Sequence, residues 1–593
     1  MRPPKHVWPD TDGSRGILIF AQLMREMLTA TTFESFRVYS LDTVARLREA
    51  LVLVEDVKRG RVPSVALTPV IEELQWSFGK DTAAKEFASD EISSLDKLVK
   101  DKKSFSVESF ESHVRLMQKL INDNYKERLE DLILEIFDDP GQKIELRKLT
   151  GFYCSHIVNL GYARRYILGL VEKYFFESQI HRIGRATLGR FFREFDGKKR
   201  RFIVHAAVTH DLGVYLRALN YHVRNIESLT EEQSASLLSN SNQENIPEAI
   251  EVVTEQFDPH GAMDFVYQNL SSQRAIAYLD PRGMHCEWGD TMHVTLARAQ
   301  SGVRITRGDF LFSTPAASIA QSGNRLKSIR NYAKFINSSF DSSSTERLIS
   351  SINTAAIARN SVNPENQLIS FWSAIEVLLS DPQNEARITH YEKLIVPCIA
   401  LRHARRQIIA IYEELLVSYR SRFKRLISSA VTEEGGNQVR AFACVMFLPD
   451  YEALRNSLCN MLERNPLALH RVWKLSNDYK NPRNVSRSIA DHENRLQWQI
   501  HRIYRARNQL VHSGRMPTYL ESLILNLAEY FRSATATIIR KANAEVERAN
   551  IDQVVAEIGI KYEIYKEKFQ ARGGAANLSA DDIDILLDAF RTK

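Results

Sequence analysis

Cysteine is scarce in this 593-residue chain. Cys154, Cys286, Cys398, Cys444 and Cys459 are the only five, widely spaced and without a CxxC pair. That excludes a disulfide framework and a regular zinc knuckle, and it predicts reduced, mostly buried thiols. Long apolar runs are missing too. No stretch reaches the roughly 18 apolar residues that a membrane span needs. The opening Met1-Arg-Pro-Pro-Lys-His-Val-Trp-Pro-Asp10 has no apolar signal core, so the expectation is a cytoplasmic chain with no membrane partner. No G-x4-GK-[ST] phosphate loop occurs, which removes that class of nucleotide hydrolase. Charge of one sign is also lacking: 79 Lys and Arg against 73 Asp and Glu leave +6. Such a balance is compatible with nucleic acid but does not require it, and local patches decide. His285, Cys286, Glu287 and His293 invite a metal, but their spacing fits no regular site. Neither a metal nor another cofactor is expected.

What is present is helical periodicity. The expected fold is mainly α, in four parts: a helical N-terminal region over 1–200, a small α/β sensor or regulatory unit over 201–335, a helical bundle over 336–548 and a helical tail over 549–593. Ile17, Phe20, Leu23, Met24, Met27 and Leu28 form an apolar stripe, and Val107, Phe110, Val114, Met117, Leu120 and Ile121 repeat it. Asp42 and Ser106 stand where N-caps belong. Asp90 to Lys103 reads as a polar, Lys-rich connection, and Asp138-Asp-Pro-Gly141 as a turn. His181 to Arg201 is the most basic stretch, with Phe191, Phe192 and Phe195 among Arg and Lys. It reads as a helix with buried Phe and solvated Arg, ahead of the alternative of an RNA-gripping surface. Arg201 to Val208, Ile250 to Thr254, Met292 to Leu296 and Phe310 to Phe312 look extended. Helices are expected from Asp211 to about Val223 and after Asp258-Pro259. Glu227 to Glu248 looks like an exposed polar insertion. In the C-terminal half, Ser338 to Ser351 leads into the bundle, and Pro364 opens a helix carrying Phe371, Trp372 and Glu376. Tyr391 to Ser428 follows as a helix or helix pair with the basic cluster Arg402, Arg405 and Arg406, either an RNA-backbone track or a solvated face. Ser579-x-x-Asp582 marks a capping box, and Ile583, Leu586, Leu587 and Phe590 after it suit docking on a partner or on the body.

One phrase carries chemistry: Tyr504-Arg-Ala-Arg-Asn-Gln-Leu-Val-His-Ser-Gly514. Leu496, Ile500, Ile503, Tyr504, Leu510 and Val511 predict a helix from about Arg495, with Gly514 as its left-handed stop. His501, Arg505, Asn508 and His512 follow i, i+4, i+7, i+11 and share one stripe. Arg507 stands about 140° from His512 around an ideal helix. Either the helix ends early and swings His512 round, or the two meet partners from another helix or subunit. Arg is a permanent cation suited to phosphate, and His moves protons near neutral pH. Together they suggest a metal-free site for cleaving a phosphodiester.

Arg507-Asn508-x3-His512 resembles the R-x(4–6)-H motif of the HEPN superfamily. "RIYRARNQLVHSG" and the upstream "LISFWSAIEVLLS" (Leu368 to Ser380) are similar to two helices of Apea-like HEPN proteins, a resemblance covering roughly 345–545. Arg217-Ala-Leu-Asn-Tyr-His222 matches the short pattern but lacks Asn after Arg. The resemblance implies a HEPN-type bundle and a metal-independent endoribonuclease acting in antiphage defence or a toxin-like response. It implies catalysis by Arg507, Asn508 and His512, with Glu376 as acidic support; the basic residues Arg505, His501, Arg402, Arg405 and Arg406 are candidates for RNA contact. Its partners would be RNA, a second copy of the chain and a phage-derived trigger. The alternative is a HEPN scaffold that binds RNA or protein without cutting.

Overall fold

A computed structural model of the chain describes residues 11–29, 41–101, 105–177, 183–238, 248–280, 283–308, 323–381, 386–545, 547–572 and 576–591. The fold is mainly α, with one small sheet.

In the N-terminal region, Thr11, Asp42, Asp81 and Ser106 each accept a backbone N–H at a helix start. The expected stripes of Asp12–Leu28 and Val107–Ile121 meet in one core with Tyr153, Phe191 and Phe195, except Leu120, which is exposed. The aromatics of the basic stretch are therefore interior, stacked edge-on against Phe20 and Tyr153, while Arg193, Lys198 and Lys199 face solvent. Arg182 lies outside the described residues. The polar connection expected over Asp90 to Lys103 is instead mostly helix, Thr82–Lys100. Leu95 at its centre is fully buried, and one buried residue per few turns suffices to hold a polar helix on a core.

The central unit holds β1 (Arg200–Val208), β2 (His222–Asn225), β3 (Glu248–Gln256), β4 (Trp288–Leu296) and β5 (Val303–Thr306), in the order β2-β3-β1-β4-β5. Every pairing is antiparallel. The helix Pro259–Ala277, capped by the Asp258 carboxylate on Gly261 N–H at 2.9 Å, packs on the sheet. Three expectations change. The helix after Thr209 ends at Ala218, because Asn220 turns with positive φ and the chain re-enters the sheet as β2. β5 is an additional edge strand, too short to show alternation. The first half of the expected insertion is packed: Ile226 and Leu237 are buried with Ala207 and Ala249. Phe310 to Phe312 lies outside the described residues.

The C-terminal half is one apolar core running from Phe340 to Ala589. Ser338 to Ser351 is largely helical, with Asp341 capping Ser342–Asn360. The tail helices Ile551–Gln570 and Ala580–Leu587 share this core, and Ile583, Leu586 and Leu587 dock on the chain's own body. Among the described residues no helix is long and apolar enough to cross a membrane.

Burial holds the imidazoles of His205, His293 and His260 below their ordinary range, the last pushed down to about 4 beside Arg165. Glu251 and Glu232 oppose this only in part for the first two. Their neutral forms stabilise the fold fully above the unfolded value of about 6.5, and that stability is lost as pH falls below it. The thermal midpoint should drop between about pH 7 and pH 5, and His260→Gln should flatten the drop; a pH series by calorimetry checks both.

Candidate functional site

The motif helix is longer than its apolar spacing suggests. It runs Pro482–Ser513, begins under Asn481 (whose side chain accepts from Asn484 N–H at 2.9 Å) and stops at Gly514 with φ 63°. Pro482 sits at the first turn, where its missing N–H costs nothing. The helix does not end early, so Arg507 and His512 leave it in different directions.

One side of the helix is covered by two N-terminal helices. Thr43–Lys58 runs alongside it in the same direction: Glu49 takes hydrogen bonds from Arg502 and Arg505, and Asp56 takes one from Gln509 at 3.3 Å. Thr68–Phe78 runs the opposite way, with Trp76 against Trp498 (ring centres 5.7 Å apart) and Glu73 against Arg502. Arg46 joins through Glu73 at 3.0 Å. Arg502 and Arg46 are 1% and 2% exposed. Burial alone would raise the Glu49 carboxyl, but Arg502 and Arg505 outweigh it and hold it at about 2. The turn joining these two helices, residues 59–67, therefore lies beside the end of the motif helix, and it presents exposed Arg59, Arg61 and Val65 there.

The other side faces the helix Pro364–Leu378. Arg507 Nη2 lies 3.6 Å from Glu376 Oε2, and Arg507 Nη1 donates to Asn508 Oδ1 at 3.1 Å. Glu376 Oε1 accepts from Trp372 Nε1 at 2.8 Å. Trp372 is 1% exposed and packs on Tyr504 and Tyr391. The indole thus fixes the carboxylate, which fixes the guanidinium. Arg507 Nε is buried without an acceptor. His512 is exposed one turn from the Gly514 stop and makes no hydrogen bond or ion pair to the described residues. The carbonyl end of the helix favours a cation at that position.

Arg507, Asn508 and Glu376 thus come together, and His512 stands apart from them. The other candidates are elsewhere. His501 Nε2 contacts Glu392 at 2.7 Å, and Arg505 is held by Glu49 at 2.6 Å, so the first half of the expected polar stripe is taken up by packing. Arg405 donates to Leu587 O at 2.7 Å, and Arg406 pairs with Glu529 and Ser533. Arg402 lies one turn before them, next to Arg405 and Arg540. The short copy Arg217 to His222 is split between a helix and β2, where Arg217 meets Glu248. His285 contacts Glu287, whereas His293 turns to Ser236. The sequence places Trp372 on its helix but does not mark it as a clamp, and it gives no sign of Glu49 and Glu73, whose spacing against apolar neighbours is shared by many surface carboxylates.

No protein-family model matches the chain, and comparison with curated proteins and with solved structures gives no match.

Arg502→Ala would leave Glu49 and Glu73 buried with less counter-charge. The expected loss is about 3–5 kcal/mol of stability, read from urea unfolding of the full chain. Lys at the same position should recover only part of it, because an ammonium lacks the planar fork that spans both carboxylates.

Proposed function

We propose that the C-terminal bundle is a metal-independent endoribonuclease of HEPN type that works as a homodimer, in antiphage defence or a toxin-like response. The observation that carries this reading is the split in the motif. Its arginine is clamped inside the fold, and its histidine stands unpaired at the exposed end of the same helix. A composite site between two copies would use both, the fixed arginine of one and the accessible imidazole of the other.

The chemistry follows from the side chains. The 2′-hydroxyl of RNA attacks its own phosphorus, and the 5′-oxygen leaves with a proton. His512 moves the protons at that step. Arg507 holds the non-bridging oxygens as negative charge grows on them. Two of its N–H groups are engaged by Glu376 and Asn508, which fixes the plane of the guanidinium and leaves donors for phosphate. Asn508 orients the arginine. The products carry a 2′,3′-cyclic phosphate, and DNA resists because it lacks the nucleophile.

Purified protein incubated with total RNA in EDTA should cut it, and His512→Ala or Arg507→Ala should lose at least about 100-fold of the rate. Mass spectrometry of the ends should find cyclic phosphate. Cleavage that survives both substitutions sinks the mechanism; RNA binding without cleavage supports the scaffold reading. Co-expressing the two variants tests the composite site. Half the dimers would be mixed, each with one intact site, so about a quarter of wild-type activity should return. No recovery places both residues in one subunit's site.

A further inference from the structure

A second group of arginines lies far along the fold from the motif. Arg402 precedes the helix His403–Leu426, and Arg405 stands three residues on, on the same face. Arg405 donates to Leu587 O at 2.7 Å, and Arg540 reaches Asp588 Oδ2 at 3.5 Å. Neighbouring residues of the tail thus bring Arg405 and Arg540 to one place, the seam where three segments meet: the start of His403–Leu426, the end of Leu520–Ala542 and the chain after Ala580–Leu587.

This seam is short of negative charge. Arg406 and Arg532 share Glu529, and Arg540 has Asp588. Arg402 is half-buried and makes no hydrogen bond or ion pair to any described residue. The Nε atoms of both Arg402 and Arg405 are buried without an acceptor. Among the described residues five guanidinium groups face two carboxylates, an excess of three positive charges. Burial, then Arg540 and Arg405, push the Arg402 guanidinium down to about 10. A buried cation without a partner is costly to keep. Arg502 differs: it is fully interior and matched by two glutamates.

We propose that Arg402, Arg405 and Arg540 form a binding site for a small ligand bearing a terminal phosphate, seated in the seam between the bundle and the C-terminal tail. Planar guanidinium forks match phosphate oxygens two at a time. A terminal phosphate, with its higher charge, suits the excess better than the single charge of a phosphodiester. The half-buried seat of Arg402, where three segments meet, favours a small molecule over a polymer backbone. This site is independent of the RNA-cleaving reading, since it shares no residue with Arg507, Asn508 or His512.

The test is thermal unfolding of the full chain at constant ionic strength with inorganic phosphate, inorganic pyrophosphate or ATP, each up to about 10 mM. Wild type should gain about 2–4 °C with at least one of them. Arg402→Gln and Arg540→Gln should lose that gain. A ligand-binding role makes a further demand: without ligand, Arg402→Gln should melt at or above wild type, because it removes an unmatched buried charge. A structural role requires the opposite. A gain with phosphate or pyrophosphate alone assigns the site to the free ion, and a larger gain with ATP assigns it to a phosphorylated metabolite. The proposal is overturned if none of the three shifts wild type, if both variants keep the full gain, or if Arg402→Gln alone lowers the midpoint and leaves the response intact. Displacement of pyrophosphate by a short single-stranded RNA of equal phosphate concentration also overturns it, in favour of an RNA track.

Discussion

The buried charge network around Arg502 is the constraint on which the rest of the arrangement depends. Arg502 and Arg505 project from the motif helix, and Glu49 and Glu73 meet them from two N-terminal helices, with Arg46 behind. None of these groups tolerates burial alone, so the N-terminal region and the motif helix form one unit. Arg471 does the same further along, between Glu26 of the first helix and Glu414 of the bundle. A region separated from the motif by more than 400 residues of chain thereby sets the orientation of the helix that carries it. This weighs against reading the N-terminal helices as a detachable sensor. The central sheet unit is joined to its neighbours through Asp258 to Ala163, Ser271 to Asn363 and Arg307 to Val362, among other contacts.

With one face of the motif helix held by glutamates and another by Trp372 and Glu376, the helix has little freedom to rotate. Its chemistry is divided along its length as a result. Arg507 is fixed in a matched, half-buried setting, and His512 leaves the fold beyond it. On a straight helix, residues five apart diverge by about 140°. No local adjustment of a straight helix brings them together.

Charge matching separates the two arginine groups of the bundle. Around Arg502 each guanidinium has a carboxylate at hydrogen-bond distance, and the result is rigidity. Around Arg402 the carboxylates are too few. Both groups read alike in sequence, as arginines at helical spacing beside apolar residues. The same composition supports opposite roles, structural where counter-charge is supplied and ligand-binding where it is withheld.

Local rules were legible in the chain. The caps at Asp42, Ser106, Asp258 and Ser579, the stop at Gly514 and the apolar stripes of the first helices depend on residues within a turn or two of one another, and they stand where expected. β2 and β5 were not legible, because four residues are too few to show alternation. The helix over Thr82–Lys100 was hidden because a helix held by few core residues looks polar. Glu376 could be placed on its helix but not aimed, since its direction depends on Trp372 and on a neighbour 131 positions away. By itself the sequence determined the class of fold, the helix that bears Arg507, Asn508 and His512, and where that helix ends, because those are short-range matters of backbone and periodicity. Only the tertiary structure decided which arginines are neutralised and which are left exposed to a ligand, because the energy of a buried charge depends on the dielectric around it and on partners that the chain brings from hundreds of residues away.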